Sequence, residues 1–266
     1  MKHIVSVSGG VGSYFTLKRV LEKANKDDVI AVFMDTLAED GDLYRFLNDI
    51  EKKFDISIVR LCVGKTPLEL AFERKYLWNS RIAECSIKLK SKPFRDWLKS
   101  NFNPEECILY LGIDWTETHR KAAIVRNYEP YKVEFPMCDK PYLDKNEMVE
   151  MLKEEGIETP RLYKLGFAHN NCKGCCVKAG IGQYRNLLIK DRITYLEMEN
   201  KEQMFRNKYQ KDVSILKRKG KTFTLRELRE IVENEGTQMS LFEPLTQEEC
   251  NDIGGCSCFI GDEIDE

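Results

Sequence analysis

Two groups of residues in this 266-residue chain have types and spacings that can do chemistry. The first is Ser8-Gly9-Gly10-Val11-Gly12-Ser13. It follows the apolar residues 4–7 and precedes Leu17, Val20 and Leu21 at helical spacing. A glycine-rich turn between a buried strand and a helix offers backbone N–H groups and the positive end of the helix dipole to an anion. The two serine hydroxyls add donors. The spacing matches neither G-x-G-x-x-G nor G-x-x-x-x-G-K-[ST]. The alternative to a phosphate cradle is a plain tight turn.

The second group is thiols. Cys172 and Cys176 are four apart and Cys256 and Cys258 two apart, each pair set among glycines, and Cys175 is a fifth thiol in the first loop. Four thiolates from two segments can close one tetrahedral or cubane site, and both zinc and an iron–sulfur cluster suit such ligands. Cys85 precedes Lys88 and Lys90, whose charge favours a thiolate, so it is a candidate sulfur-handling group or a packed cysteine. Cys62 and Cys107 fall at strand positions and are expected in the core. Cys138 and Cys250 carry no motif. His169 and His119 are loop histidines open to a polar role, and His3 reads as structural.

These groups need elements to hold them. Residues 4–7, 29–34, 56–61 and 107–111 read as short buried strands, with helical patterns between them. Repeated β-α units imply a parallel sheet flanked by helices. Loops after the first, second and fourth strands, SGGVGS, DTLAEDGD and GIDWTETHR, then converge beyond the carboxyl ends of the strands. Asp40 and Asp42 precede an apolar helical stripe and read as a cap, with Mg²⁺ binding the alternative. Thr66-Pro67 opens a further helix, residues 145–156 form an amphipathic one, and 182–209 read as one helical stretch. Residues 213–224 suggest a hairpin about Gly220, with Thr224 and Glu227 forming a capping box. The domain boundary is expected near Pro160: residues 1–160 as the α/β domain, and 161–266 as a cysteine-rich, mainly helical region.

Composition narrows the class. The chain is 42% hydrophobic and 32% charged, with a net charge of −2, so no global field draws it to nucleic acid or membrane. Two local basic runs stand out, Lys88 to Lys99 and Lys217 to Lys221, each either a solvated face or a partner surface. No apolar run approaches a membrane span of about 20 residues. With no leader evident, a cytoplasmic protein is expected, where ten cysteines suggest metal or redox chemistry rather than a disulfide scaffold.

The ordered set of motifs resembles the PP-loop ATP pyrophosphatases, adenine-nucleotide α-hydrolase-like (HUP-like) proteins that include the PAPS reductases. Ser8 to Ser13 is similar to their SGGxDS loop, with Gly12 in place of the aspartate. Asp35-Thr36 resembles the DT of a DTG segment. Cys85 to Lys90 resembles a cysteine-then-lysine stretch, and Gly112-Ile113, Glu117 and Arg120 a G-I-x-x-x-E-x-x-R segment. HNNC-x-x-x-CVKAG at 169–180 and GGCxCF at 254–259 resemble a narrower bacterial and phage subgroup of PAPS-reductase-like proteins.

The resemblance implies that Ser8, Gly9, Gly10, Gly12, Ser13, Asp35, Gly112 and Glu117 bind ATP or PAPS with Mg²⁺. It implies that Cys85, Lys90 and Arg120 act in catalysis. It tips Cys172, Cys176, Cys256 and Cys258, with Cys175 as a further candidate, toward a 4Fe-4S cluster over Zn²⁺. Three functions follow from it. One is ATP-dependent adenylation coupled to sulfur transfer, onto tRNA, DNA or a small molecule, from a sulfur donor. Another is PAPS or APS reduction with a thioredoxin-like reductant, releasing sulfite. The last is a non-catalytic nucleotide-binding role in a phage or CRISPR-type defence system.

Overall fold

A computed structural model describes residues 1–77, 83–235 and 243–253. Along the chain run β1 (Lys2–Ser6), α1 (Val11–Leu21), β2 (Val29–Asp35), α2 (Gly41–Phe54) and β3 (Ile58–Cys62). Next come α3 (Pro67–Arg74) and α4 (Glu84–Ser86), which passes through a π-helical turn, Ile87–Ser91, into α5 (Lys92–Asn101). β4 (Cys107–Tyr110), α6 (Lys121–Tyr128), β5 (Lys132–Glu134), α7 (Lys145–Glu154) and α8 (Arg161–Lys164) follow. The remainder is α9 (Ile181–Lys190), α10 (Arg192–Tyr209), the hairpin β6 (Leu216–Arg218) and β7 (Lys221–Phe223), α11 (Leu225–Glu233) and α12 (Gln247–Asn251).

The chain forms two compact units. Of the described residues, one unit contains 1–64 and 86–161, and the other 65–77, 83–85, 162–235 and 243–253. In the first, five parallel strands lie in the order β3-β2-β1-β4-β5. Ile4, Val32, Met34, Leu109 and Leu111 pack with Phe94 and Leu98 of α5 and Ile124 and Tyr128 of α6. Leu43, Phe46, Leu47 and Ile50 of α2 are buried, and Tyr14 of α1 packs its ring against Phe46 and Phe54. The Tyr14 hydroxyl donates to Glu155 at 2.6 Å, and Lys18 reaches the same carboxylate at 2.7 Å, which ties α1 to the end of α7. Burial and that carboxylate push the Tyr14 phenol well up.

The second unit packs α9, α10 and α11 with the hairpin. Tyr184 and Tyr195 are fully buried there, and the Tyr195 hydroxyl donates to the Leu225 carbonyl at 2.6 Å. Glu202 is 2% exposed, and its two oxygens accept from the Ile215 and Leu225 N–H groups at 2.8 Å each. The Thr224–Glu227 capping box is present.

Several expectations change. The edge strand β5 was not anticipated, because three residues with two charges carry no apolar run. The stretch 182–209 is two helices, since Asp191 leaves the helical conformation at φ −145° and caps α10 through Thr194. Cys107 is buried, but Cys62 is exposed rather than in the core. It ends β3 at the sheet edge, on the outward side of the strand's alternation. Among the described residues no helix is long and apolar enough to cross a membrane.

Candidate nucleotide site and cysteine loop

The strand order reverses between β1 and β4, since β1 hands on to β2 on one side and pairs with β4 on the other. Open parallel sheets bind ligands at such a switch point, beyond the carboxyl ends of the strands. The loop after β1 lies there. Gly9 takes φ +78°, and a Cβ on it would meet Leu43 Cγ at 2.6 Å, so both backbone and packing demand glycine. Gly10 is the N-cap of α1; no side chain caps the helix and no acidic residue sits in its first turn. The two serines differ. Ser13 is buried and its hydroxyl donates to the Gly10 carbonyl at 2.8 Å, bracing the turn, whereas Ser8 is exposed.

The loop after β4 closes on this turn. A Cβ on Gly112 would meet the Ser13 N and Cα and the Thr16 Oγ1 at 3.3 Å. Position 12 is roomier: a Cβ there would lie 3.7 Å from the Gly112 carbonyl, an ordinary contact. Packing therefore does not forbid a side chain at residue 12. Further along the β4 loop, Arg120 donates through Nη1 to Glu117, while its Nε is buried with no hydrogen-bond partner among the described residues. His119 is exposed.

The loop after β2 adds charge. Asp35 Oδ1 accepts from the Leu37 N–H and the Tyr44 hydroxyl, both at 2.8 Å, and burial together with this carboxylate pushes the Tyr44 phenol up. Leu37 is 49% exposed at φ +56°, an uncommon conformation for such a side chain. Asp40 caps α2 by accepting from the Asp42 N–H at 2.9 Å, and it also meets Arg161 at 2.5 Å. Lys90, on the π-helical turn, lies 3.3 Å from Glu39, and Thr36 donates to the same Glu39 oxygen at 2.9 Å. Glu39 was legible in the sequence only as part of an acidic run. Its pairing with Lys90 joins residues 51 apart and has no local signal.

The geometry thus packs Gly112 against the turn formed by Ser8, Gly9, Gly10, Gly12 and Ser13, with Asp35, Glu117 and Arg120 in the segments that follow β2 and β4 and Lys90 paired to Glu39 after β2. A profile of the phosphoadenosine phosphosulfate reductase domain family matches residues 2–258. The chain belongs to this family. It is 26% identical over 180 residues to an uncharacterized protein of Methanocaldococcus jannaschii, an alignment covering 65% of this chain and 35% of that one. The chain thus spans about a third of the length of that curated relative. It is similar to the crystal structure of phosphoadenylyl-sulfate (PAPS) reductase from Candida auris in its phosphate complex. The match has 15% identity and a TM-score of 0.45, and covers 63% of this chain and 79% of that one.

The cysteine loop of this PAPS reductase-domain chain lies in the second unit. Cys172, Lys173 and Gly174 all have positive φ, at 48°, 51° and 78°. Gln183 and Tyr184 of α9 hold the turn by donating to the Gly174 and Cys175 carbonyls at 2.9 and 3.0 Å. Burial, with Cys172 beside it, pushes the Cys175 thiol up to about 12. Cys85 is half-buried in the short helix α4. Cys256 and Cys258 lie outside the described residues, and among the described ones no three His, Cys, Asp or Glu side chains are grouped to hold a metal. The last described residues pack on α9. The Asp252 carbonyl accepts from the Gln183 N–H at 3.3 Å, and a Cβ on Gly182 would meet the Cys250 carbonyl oxygen at 2.2 Å. Arg218 of the hairpin grips the same segment through Glu249 at 2.7 Å and the Glu243 and Pro244 carbonyls at 2.8 and 2.6 Å.

Proposed function

We propose that this chain binds ATP on the Ser8–Ser13 loop with Mg²⁺ and adenylates an acceptor for sulfur transfer. The observation that carries this reading is the uncapped start of α1, with Ser8 exposed beside it and Gly112 packed on its first turn. Such a start accepts phosphate through backbone donors. An acceptor oxygen attacks the α-phosphorus and pyrophosphate leaves. Lys90 and Arg120 stabilise the charge that develops. A sulfur nucleophile then displaces AMP, forming a C–S bond as the C–O bond breaks. With Cys85 as the candidate carrier, in persulfide form, a dithiol reductant then cleaves the resulting S–S bond and frees the thiolated acceptor.

Cys172 and Cys176, with Cys256 and Cys258, form the proposed metal set, and Cys175 stands beside it. The support is that Asp252 docks on α9 next to the cysteine loop. The four residues from there to Cys256 span up to about 14 Å. Soft thiolates suit a 4Fe-4S cluster or zinc, which when bound presents or activates sulfur. The motifs at 169–180 and 254–259 support membership of the narrower bacterial and phage subgroup.

A pyrophosphate-release assay with Mg-ATP, in the presence of RNA or DNA, tests the reading. Turnover that is lost in Ser8→Ala and Lys90→Ala is expected. No turnover with any acceptor, and none altered by these changes, sinks it. The family match favours one second reading, reduction of PAPS or APS. Sulfite release from PAPS with a thioredoxin-like reductant would establish that reading instead.

A further inference from the structure

The two basic runs visible in the sequence are partly taken up by neighbouring groups. Lys90 is buried against Glu39, and Lys92 pairs with Asp96 at 2.5 Å. Arg218 and Lys219 are taken up by Glu249 and Glu243 at 2.7 and 2.6 Å. A different set of lysines comes together only in the folded second unit.

Lys201, Met204 and Lys208 lie on one face of α10 at i, i+3 and i+7, and all three are exposed. Helix α10 ends in a left-handed cap at Gln210, and α3 ends in another at Lys75. The two ends meet. The Tyr209 hydroxyl donates to the Phe72 carbonyl and the Lys211 ammonium to the Lys75 carbonyl, each at 2.6 Å. Beneath them Phe72, Phe205 and Tyr209 pack ring to ring, and Lys208 Nζ rests 5.4 and 5.5 Å from the centres of the Phe72 and Tyr209 rings. Tyr76 stands beside Lys75, 44% exposed.

Most of the carboxylates around this surface have partners of their own, although Glu69 also lies near Lys201. Glu69 caps α3 through Thr66, Glu73 pairs with Lys65 at 2.7 Å, and Asp212 pairs with Arg206 at 2.9 Å. The result is a row of cations running along α10 to an exposed tyrosine at the end of α3.

We infer that this row, Lys201, Lys208, Lys211 and Lys75 with Tyr76, binds the sugar–phosphate backbone of a single-stranded nucleic acid. Spaced ammonium groups follow successive phosphates, and an exposed ring gives a base a face to stack on. The inference rests on the proposed sulfur transfer for its purpose, since that reading takes a nucleic acid as acceptor, but its test stands apart from that reading.

The test is fluorescence anisotropy of a labelled single-stranded oligonucleotide, as RNA and as DNA of the same sequence, with the full-length protein over a range of salt. Affinity falling with salt is expected. In Lys201→Ala/Lys208→Ala/Lys211→Ala the affinity should drop at least about tenfold, and the log–log salt slope should shrink by about 2, at about 0.7 per phosphate contact on a single strand. Lys88→Ala/Lys99→Ala, on the other unit, should bind as the wild type does. Should the triple variant lose its cooperative melt, the exposed single change Lys201→Glu takes its place and should weaken binding in the same direction. No binding by the wild type, or equal affinity and slope in the lysine variants, overturns the inference and leaves these lysines as complements to two helix dipoles. ATP binding measured on the same samples separates the two proposals. A protein that binds ATP but no oligonucleotide fails only here, and one that binds the oligonucleotide along α10 but no ATP fails only the nucleotide reading.

Discussion

Lys90 and Glu39 meet at 3.3 Å at the carboxyl edge of the sheet, with side chains 10% and 1% exposed. A pair so little hydrated is held by its partners rather than by water, and Thr36 supplies one further hydrogen bond to the carboxylate. Breaking such a pair from one side leaves a buried charge uncompensated. Glu39→Ala is therefore expected to cost about 3–5 kcal/mol in denaturant unfolding. Glu39→Leu/Lys90→Met, which removes both charges, should recover most of that loss. Equal instability in the single and double variants would show that the pair is not a unit.

Position 12 provides a gain-of-residue test. A Cβ at Gly12 has room, and α1 carries no acidic residue in its first turn. Gly12→Asp should stabilise the protein by about 1 kcal/mol, through helix propensity and the helix dipole, read as a rise in melting temperature. The added carboxylate should also make nucleotide affinity depend more steeply on Mg²⁺, measured by titration with and without the metal. A lower melting temperature would show that the loop cannot accept the side chain.

Glu202 makes the second unit sensitive to pH. Burial raises its carboxyl from 4.5 to about 7, against the pull of the Ile215 and Leu225 N–H groups. A raised carboxyl favours the folded state when protonated. Its contribution is full below about 4.5 and is lost as pH climbs through about 7, a change of roughly 3 kcal/mol at most. Glu243 and Glu249, whose carboxyls are lowered by Lys219 and Arg218, act in the opposite sense and only at lower pH. Unfolding free energy measured from pH 5 to 7.5 should fall with pH in the wild type. In Glu202→Gln it should start lower, because one N–H loses its acceptor, and stay flat. An identical slope in both proteins would remove Glu202 from the account.

The docking of residues 250–252 on α9 gives a test of the metal set. Gly182→Val places a side chain where the Cys250 carbonyl lies 2.2 Å from the Cβ position, so the segment must lift away. Iron and zinc analysis of protein purified without oxygen should find metal in the wild type, and at least about tenfold weaker retention against a chelator in Gly182→Val. Cys172→Ser/Cys176→Ser should abolish retention. Metal-free wild type refutes the metal set itself. Metal retained equally in Gly182→Val refutes only the positioning role of the docked segment.

Much of this protein was determined by local sequence. Short β-branched runs, the glycine loop, the cap at Asp40, the helix start at Thr66-Pro67 and the capping box at Thr224 each depend on neighbours within a few residues, and each formed in the region where the pattern placed it. The parallel sheet followed from β-α alternation, because only crossovers join parallel strands. Tertiary structure decided what depends on residues far apart in the chain. It set the reversal of strand order between β1 and β4, the burial of Lys90 against Glu39, and the exposure of Cys62 at a sheet edge. It also took Arg218 and Lys219 out of the apparent basic run and assembled another from the ends of α3 and α10. Charge written along a sequence says which residues are cationic. Which of them still face water depends on the carboxylates and carbonyls that folding brings beside them.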